Sequence, residues 1–142
     1  MTEVAFHVNL PEPLAYTCRL VRKAYERGMT MLVVSDARQM AALDARLWAM
    51  RPTDFVPHCR IGENANAWRH SAVVLTDSLA RAPDRAFDAL VNLSPEWPES
   101  FQAFGRVFEL VSFGEEDLRA ARLRWRAYQN AGIEPKRHEI AA

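Results

Sequence analysis

This sequence has few cysteines and glycines, and neither positive nor negative charge is in excess. It contains two cysteines, Cys18 and Cys59, among 142 residues, too few for the disulfide framework of a small secreted domain. Eighteen basic residues balance eighteen acidic ones, which argues against a domain that holds nucleic acid by neutralising many phosphates. A local basic patch is still compatible with that balance.

Long apolar runs and a leader segment are also missing. Residues 1–9 lack the basic start and apolar core of a secretory signal. The longest apolar runs, such as residues 31–34, are far shorter than the roughly 20 residues that span a bilayer. Without repeats or linkers, the sequence predicts one cytoplasmic domain over residues 1–142, with a polar, mobile tail at about 134–142.

Short apolar runs alternate with helical patterns along the chain. We predict strands at residues 4–8, 31–34, 73–75, 90–93 and 107–111. A helix between the first two strands should end at Gly28, because glycine favours the position just past a helix C-terminus. Residues 60–85 show little helical periodicity and should contain loops. The alternation predicts a three-layer, Rossmann-like α/β domain with a mainly parallel sheet.

Two capping-box patterns predict where the later helices begin. Asp36 with Gln39 should open a helix that runs to about residue 50, and Ser112 with Glu115 a final helix that reaches about residue 131. A capping box satisfies two of the backbone N–H groups that a helix start leaves without partners.

The first strand-to-helix turn argues against a nucleotide-binding enzyme. Residues 9–13 contain two prolines, one glutamate and no glycine, whereas a phosphate loop needs glycines and free N–H donors. No Walker A or serine-elbow motif occurs, and His58 beside Cys59 has no second ligand pair for zinc. We expect no catalytic residue, cofactor or metal. A nucleotide-using enzyme with a divergent site stays open as an alternative.

Two patches could bind a partner. Trp48, Phe55 and Pro57 follow the second helix and either form an apolar anchor site or cover a corner of the core. In the last helix, Arg119, Arg122 and Arg126 share a face beside Trp125, whereas Arg124 is set apart. Guanidinium forks suit carboxylates and phosphates. The natural partner is therefore an anionic peptide or, as an alternative, single-stranded nucleic acid. The other interpretation is that the arginines form only a solvent-exposed face of the helix.

The same two patches resemble segments of a known family, the chi subunit of bacterial DNA polymerase III. Residues 43–58 carry the pattern L-D-x-x-L-W-x-x-x-P-x-x-F-V-P-H, with one extra residue before the proline. Residues 122–132 are similar to the chi ending R-x-R-Y-K-x-Y-x-x-A-G, with Trp125 and Arg126 in place of tyrosine and lysine.

This resemblance implies a Rossmann-like, non-catalytic replication adaptor. Chi proteins bind the acidic C-terminal tail of single-stranded DNA-binding protein and join the clamp loader through the psi subunit; some also pair with a helicase-like protein. DNA contact would then be indirect. Carried over by motif, Arg122, Trp125 and Arg126 would bind the tail, with Arg119 and Val111 as weaker candidates. Trp48 and Phe55 would face psi or the helicase-like partner.

Overall fold

A computed structural model describes residues 2–49, 56–61, 71–81 and 85–140. Seven strands form one sheet: β1 (Glu3–Leu10), β2 (Met31–Val34), β3 (His58–Arg60), β4 (Val73–Thr76), β5 (Ala89–Asn92), β6 (Arg106–Ser112) and β7 (Lys136–Glu139). Three α-helices accompany them in the described residues: α1 (Pro13–Glu26), α2 (Ala37–Trp48) and α3 (Glu115–Asn130). Short 3-10 turns lie at Leu79–Arg81 and Phe101–Ala103.

The strand order across the sheet is β3-β4-β2-β5-β6-β1-β7, and every described pairing is parallel. Parallel strands need both faces covered, and the central strands β2, β4 and β5 are buried along their whole length. Helices α1 and α2 pack on one face of the sheet and α3 on the other. The predicted three-layer α/β fold with a mainly parallel sheet is confirmed.

Local sequence signals explain the first two helices. Pro13 stands at the first position of α1, where its missing N–H is not needed, and Gly28 has a φ of +78° just after the helix. At α2 the predicted capping box is present: Gln39 N–H donates to the Asp36 carboxylate at 2.7 Å, and Asp36 N–H donates to the Gln39 side chain at 3.3 Å. The helix ends at Trp48, slightly before the predicted end.

The second predicted capping box is wrong. Helix α3 begins at Glu115 with Gly114 as its N-cap and without a side-chain cap. Ser112 is instead the last residue of β6, and its hydroxyl hydrogen-bonds the Asp117 carboxylate. The strand therefore runs one residue further than the apolar run, and its final serine contacts the helix from outside.

Strands β3 and β7 were not predicted. All four residues of β7 are exposed, so the strand lacks the apolar pattern by which β-structure is recognised. It pairs in parallel with β1, from Ala5 opposite Lys136 to Val8 opposite Glu139. Part of the segment that we expected to be a mobile tail is thus the edge strand of the sheet. No described helix has the length and apolar composition to cross a membrane.

Candidate functional site

Helix α3 is held against the sheet by a buried polar network. The Glu109 carboxylate on β6 is fully buried and accepts hydrogen bonds from Arg124 Nε at 3.0 Å, Tyr128 Oη at 2.7 Å and Asn92 Nδ2 at 3.0 Å. Arg124 Nη1 also donates to the Pro95 carbonyl at 3.1 Å. The network joins α3 to β5 and β6, so Arg124 has a structural position and does not share the exposure of the neighbouring arginines.

Burial changes the acid–base properties of this network. Burial raises the pKa of Glu109, while the positive charge of Arg124 and the hydrogen bonds from Tyr128 and Asn92 oppose that rise. Burial, followed by the nearby Glu109 charge, also raises the pKa of Tyr128 far above its usual value. Tyr128 therefore stays a neutral hydrogen-bond donor to Glu109.

A cleft of about 390 Å³ lies between α3 and the β1–β7 edge of the sheet, and we call it the α3 cleft. Its lining consists of apolar side chains and a rim of polar and cationic ones: Phe6, Val8, Leu118, Ala121, Trp125, Gln129, Arg122, Arg126 and Arg137. The half-buried Trp125 ring lies 5.1 Å from the Phe6 ring, measured between centroids. Aromatic and aliphatic groups thus form the floor, and three guanidinium groups surround it.

The charges of the α3 cleft are largely uncompensated. In the described residues neither Arg122 nor Arg126 forms an ion pair, and no carboxylate lines the cleft. Arg137 is different, because its Nη1 lies 3.3 Å from Glu139 Oε2 on the same strand. Glu139 also accepts a hydrogen bond of 2.6 Å from Asn9 Nδ2. Two of the three guanidinium groups are therefore open to an external anion.

The structure brings together three of the five predicted tail-binding residues. Arg122, Trp125 and Arg126 all line the α3 cleft. Arg119 is exposed on the same helix but outside the lining, and Val111 is only 1% exposed, in the core behind the helix. Sequence reasoning missed Arg137, because it lies on the unpredicted strand β7. The arginine spacing on α3 was informative because i and i+4 positions share a helix face.

The second predicted patch is described only in part. Trp48, the last residue of α2, is 62% exposed, and its ring centroid lies 5.0 Å from that of His58. His58 is buried, with Nε2 3.3 Å from the Asp44 carboxylate. Phe55, the other predicted residue of this patch, lies outside the described residues. The structure thus shows an exposed indole at the end of α2, and the role of Phe55 stays a prediction.

The usual ligand position of such a fold is a poor phosphate site here. A crevice of about 530 Å³ lies at the carboxyl ends of the central strands, with Asn92, Ser94, Glu96 and Glu99 in its lining. Ligands of open α/β sheets bind in this place. Here, however, the two carboxylates would repel a phosphate, and no described cation in the lining would offset them. The geometry therefore disfavours the alternative of a nucleotide-using enzyme.

Comparison with known proteins gives a consistent result. Residues 1–136 match the family model described as DNA polymerase III chi subunit, HolC. The DNA polymerase III subunit chi of Pseudomonas aeruginosa is 36% identical, over 99% of this chain and 98% of the relative. The subunit chi of Escherichia coli is 28% identical, over 82% of this chain and 78% of the relative. These names indicate no catalytic activity.

A solved structure resembles the fold at low sequence identity. The C-terminal domain of the DEAD-box protein Dbp5 superposes with a TM-score of 0.68 at 12% identity, over 98% of this chain and 90% of that domain. At such low identity the comparison shows only that the two proteins share an architecture, an open α/β sheet. The match to the family model, in contrast, spans residues 1–136 and so includes both motifs, and the chain belongs to the chi subunit family of DNA polymerase III.

Proposed function

We propose that this member of the chi family binds the acidic C-terminal tail of single-stranded DNA-binding protein in the α3 cleft and so connects that protein with the DNA polymerase III holoenzyme. The observation that carries the proposal is the pairing of an apolar floor with guanidinium groups that have no carboxylate partner in the described residues. An acidic chain end with a terminal aromatic residue complements both features.

The chemistry of the cleft divides into two parts. Trp125 and Phe6 provide an aromatic floor of the size that accepts one apolar side chain. Arg122 and Arg126 lie four residues apart on α3, so that they can grip carboxylates beside that floor. Because the guanidinium groups are exposed before a peptide binds, salt screens each contact with its carboxylates. We expect micromolar affinity that falls as salt rises.

Peptide binding to variants of the full chain tests this proposal. A fluorescent acidic peptide that ends in proline and phenylalanine is titrated with the wild type, with Arg122→Ala and with Arg126→Ala. Each substitution should weaken binding at least tenfold, as expected for a charge-assisted contact of about 1.5–3 kcal/mol. The melting temperature should hardly change, because both side chains are exposed and form no ion pair with another described residue.

Arg119→Ala is the matched control, since it removes an exposed arginine of the same helix outside the cleft. It should weaken binding less than twofold. Equal affinities of the wild type and Arg122→Ala would contradict the proposal. A pull-down with single-stranded DNA-binding protein, intact and without its last residues, then tests the complete partner: only the intact protein should be retained.

We further propose that Trp48 contacts the psi subunit or, in its place, a helicase-like protein. The Trp48 side chain is 62% exposed, and tryptophan is enriched among the residues that contribute most to the affinity of protein interfaces. Helix α2 and helix α3 lie on opposite faces of the sheet. Both partners could therefore be bound at the same time.

Co-purification with psi tests the second contact. Trp48→Ala should lose psi and keep the affinity for the acidic peptide. Phe113→Ala removes another exposed aromatic ring, 61% accessible, and should retain psi. Loss of psi from both variants, or from neither, would count against a specific contact at Trp48.

A further inference from the structure

A second cleft lies on the other face of the sheet, between α1 and the strands β1 and β6. It encloses about 340 Å³, and we call it the α1 cleft. Four cations belong to its lining: Arg19, Lys23 and Arg27 from α1 and its C-terminal cap, and Arg106 from the start of β6. All four side chains are exposed. The peptide site proposed above lies across the sheet from this cleft.

The charge of the α1 cleft is one-sided in a chain of zero net charge. No acidic residue lines it, and none of its four cations forms an ion pair with another described residue. Lys23 and Arg27 also offset the negative end of the α1 dipole. Arg19 and Arg106 lie outside that last turn, so the helix end does not account for the whole cluster.

Aromatic rings orient two of the guanidinium groups. Arg106 lies 4.9 Å above the Phe108 ring and Arg19 lies 5.8 Å above the Tyr16 ring, measured from the guanidinium carbon to the centroid. Stacked in this way, a guanidinium keeps its N–H edges directed to solvent and free for an anion. Between the two rings, the His7 side chain contacts the Tyr16 hydroxyl.

His7 does not contribute to the positive charge at neutral pH. Burial, the neighbouring His138 and Arg106 together lower the pKa of His7 to about 4. The charge of the cleft therefore comes from its three arginines and one lysine. The binding capacity of the cleft should not depend on pH near neutrality.

We infer that the α1 cleft binds the phosphates of single-stranded DNA. Arg19, Lys23 and Arg27 recur every four residues, about 6 Å apart along the helix axis, a spacing comparable with that of phosphates along an extended strand. A positively charged groove that follows the phosphate backbone is a general means of holding a single strand without reading its sequence. This inference adds a direct DNA contact to the indirect one that the family resemblance implies.

The salt dependence of binding to a labelled oligodeoxythymidine provides the test, with the full chain alone. Four phosphate contacts to a single strand predict a slope of log K against log salt of about −3. Affinity should accordingly fall by about fifty-fold between roughly 50 and 200 mM salt. In Arg19→Glu/Arg27→Glu we expect at least a tenfold loss at the lower salt and a slope halved or smaller. Because Arg27→Glu places a negative charge at the negative end of the α1 dipole, circular dichroism of the variant checks that the helix is retained.

Two further double variants locate the contact. Arg38→Glu/Arg46→Glu makes the same charge change at the same spacing on α2, and Arg122→Ala/Arg126→Ala alters the α3 cleft. Both should keep DNA affinity within about threefold, and His7 ring resonances of the wild type should shift when the oligonucleotide is added. Each of four results would overturn the inference. The first two are failure of the wild type to bind DNA and a loss of DNA affinity in the α2 variant as large as that in Arg19→Glu/Arg27→Glu. The other two are a loss of DNA affinity in the α3 variant and competition by polyglutamate as strong as that by DNA. None of these results depends on peptide binding.

Discussion

Replacement of Arg124 by methionine should destabilise the protein more than any other arginine substitution on α3. The change keeps an unbranched apolar chain but removes the guanidinium group, the only cation that faces Glu109 in the described residues. Glu109 would stay fully buried with hydrogen bonds from Tyr128 and Asn92 alone. The Pro95 carbonyl would lose its donor as well.

The magnitude follows from the geometry of the pair. At the observed 3.0 Å, two unit charges attract by about 5.5 kcal/mol at an effective dielectric constant of roughly 20. Leaving one buried charge without its partner typically costs about 3–5 kcal/mol. A domain of this size is stable by only about 5–15 kcal/mol, so Arg124→Met should lose a large share of its free energy of unfolding.

The loss should depend on pH in a defined direction. Burial raises the pKa of Glu109 and Arg124 opposes the rise, so Arg124→Met raises this pKa further. A carboxyl group whose pKa is higher in the folded than in the unfolded state loses stability as pH rises above its unfolded pKa. The difference between wild type and Arg124→Met should therefore be smallest near pH 4 and largest near neutrality.

Urea unfolding of both proteins at several pH values measures this effect. Arg119→Met, at an exposed position of the same helix, serves as the control and should change stability by no more than about 0.5 kcal/mol. Adding Glu109→Gln to Arg124→Met should remove most of the pH dependence. A loss below about 1 kcal/mol at neutral pH, or one that grows towards acid, would refute the electrostatic account of the network.

Three smaller changes test other parts of the structure. Glu139→Gln releases Arg137 from its exposed ion pair, worth about 0.2–1 kcal/mol, and should tighten peptide binding up to about fivefold in a fluorescence titration; weaker binding would contradict this. Asp36→Ala removes the α2 capping box and should cost about 1 kcal/mol in urea unfolding, whereas Asp36→Asn should retain most of it. Gly132→Ala places a side chain at a φ of +88° in open space and should lower stability by about 1 kcal/mol through the backbone alone; an unchanged unfolding midpoint would show that the turn relaxes.

The parts of the fold that follow local rules could be predicted from the sequence. Strand β2 and the start of α2 agree with the prediction because an apolar run and a capping box are encoded by adjacent residues. Strand β7 follows no such rule, since its four charged and polar residues are ordered by pairing with β1, about 130 residues away in the chain. Tertiary context outweighs β-propensity in such a strand.

The candidate site shows the same division. Arg122, Trp125 and Arg126 could be grouped in advance because helical spacing alone places them together. The special position of Arg124 depends on Glu109, a single acidic residue within an apolar strand, and nothing in the spacing connects the two. Arg137 was missed because the β7 strand that carries it was missed.

Strand β7 also has a consequence for biosynthesis and proteolysis. It follows all other described strands in the chain, so a polypeptide that has left the ribosome only as far as Asn130 carries Arg122 and Arg126 but lacks Arg137, the third cation of the α3 cleft. The α3 cleft is therefore completed only after helix α3 has been made. Trimming of residues 136–139 from the folded protein would also leave β1, with its apolar Val4, Phe6 and Val8, as an unprotected sheet edge that invites self-association.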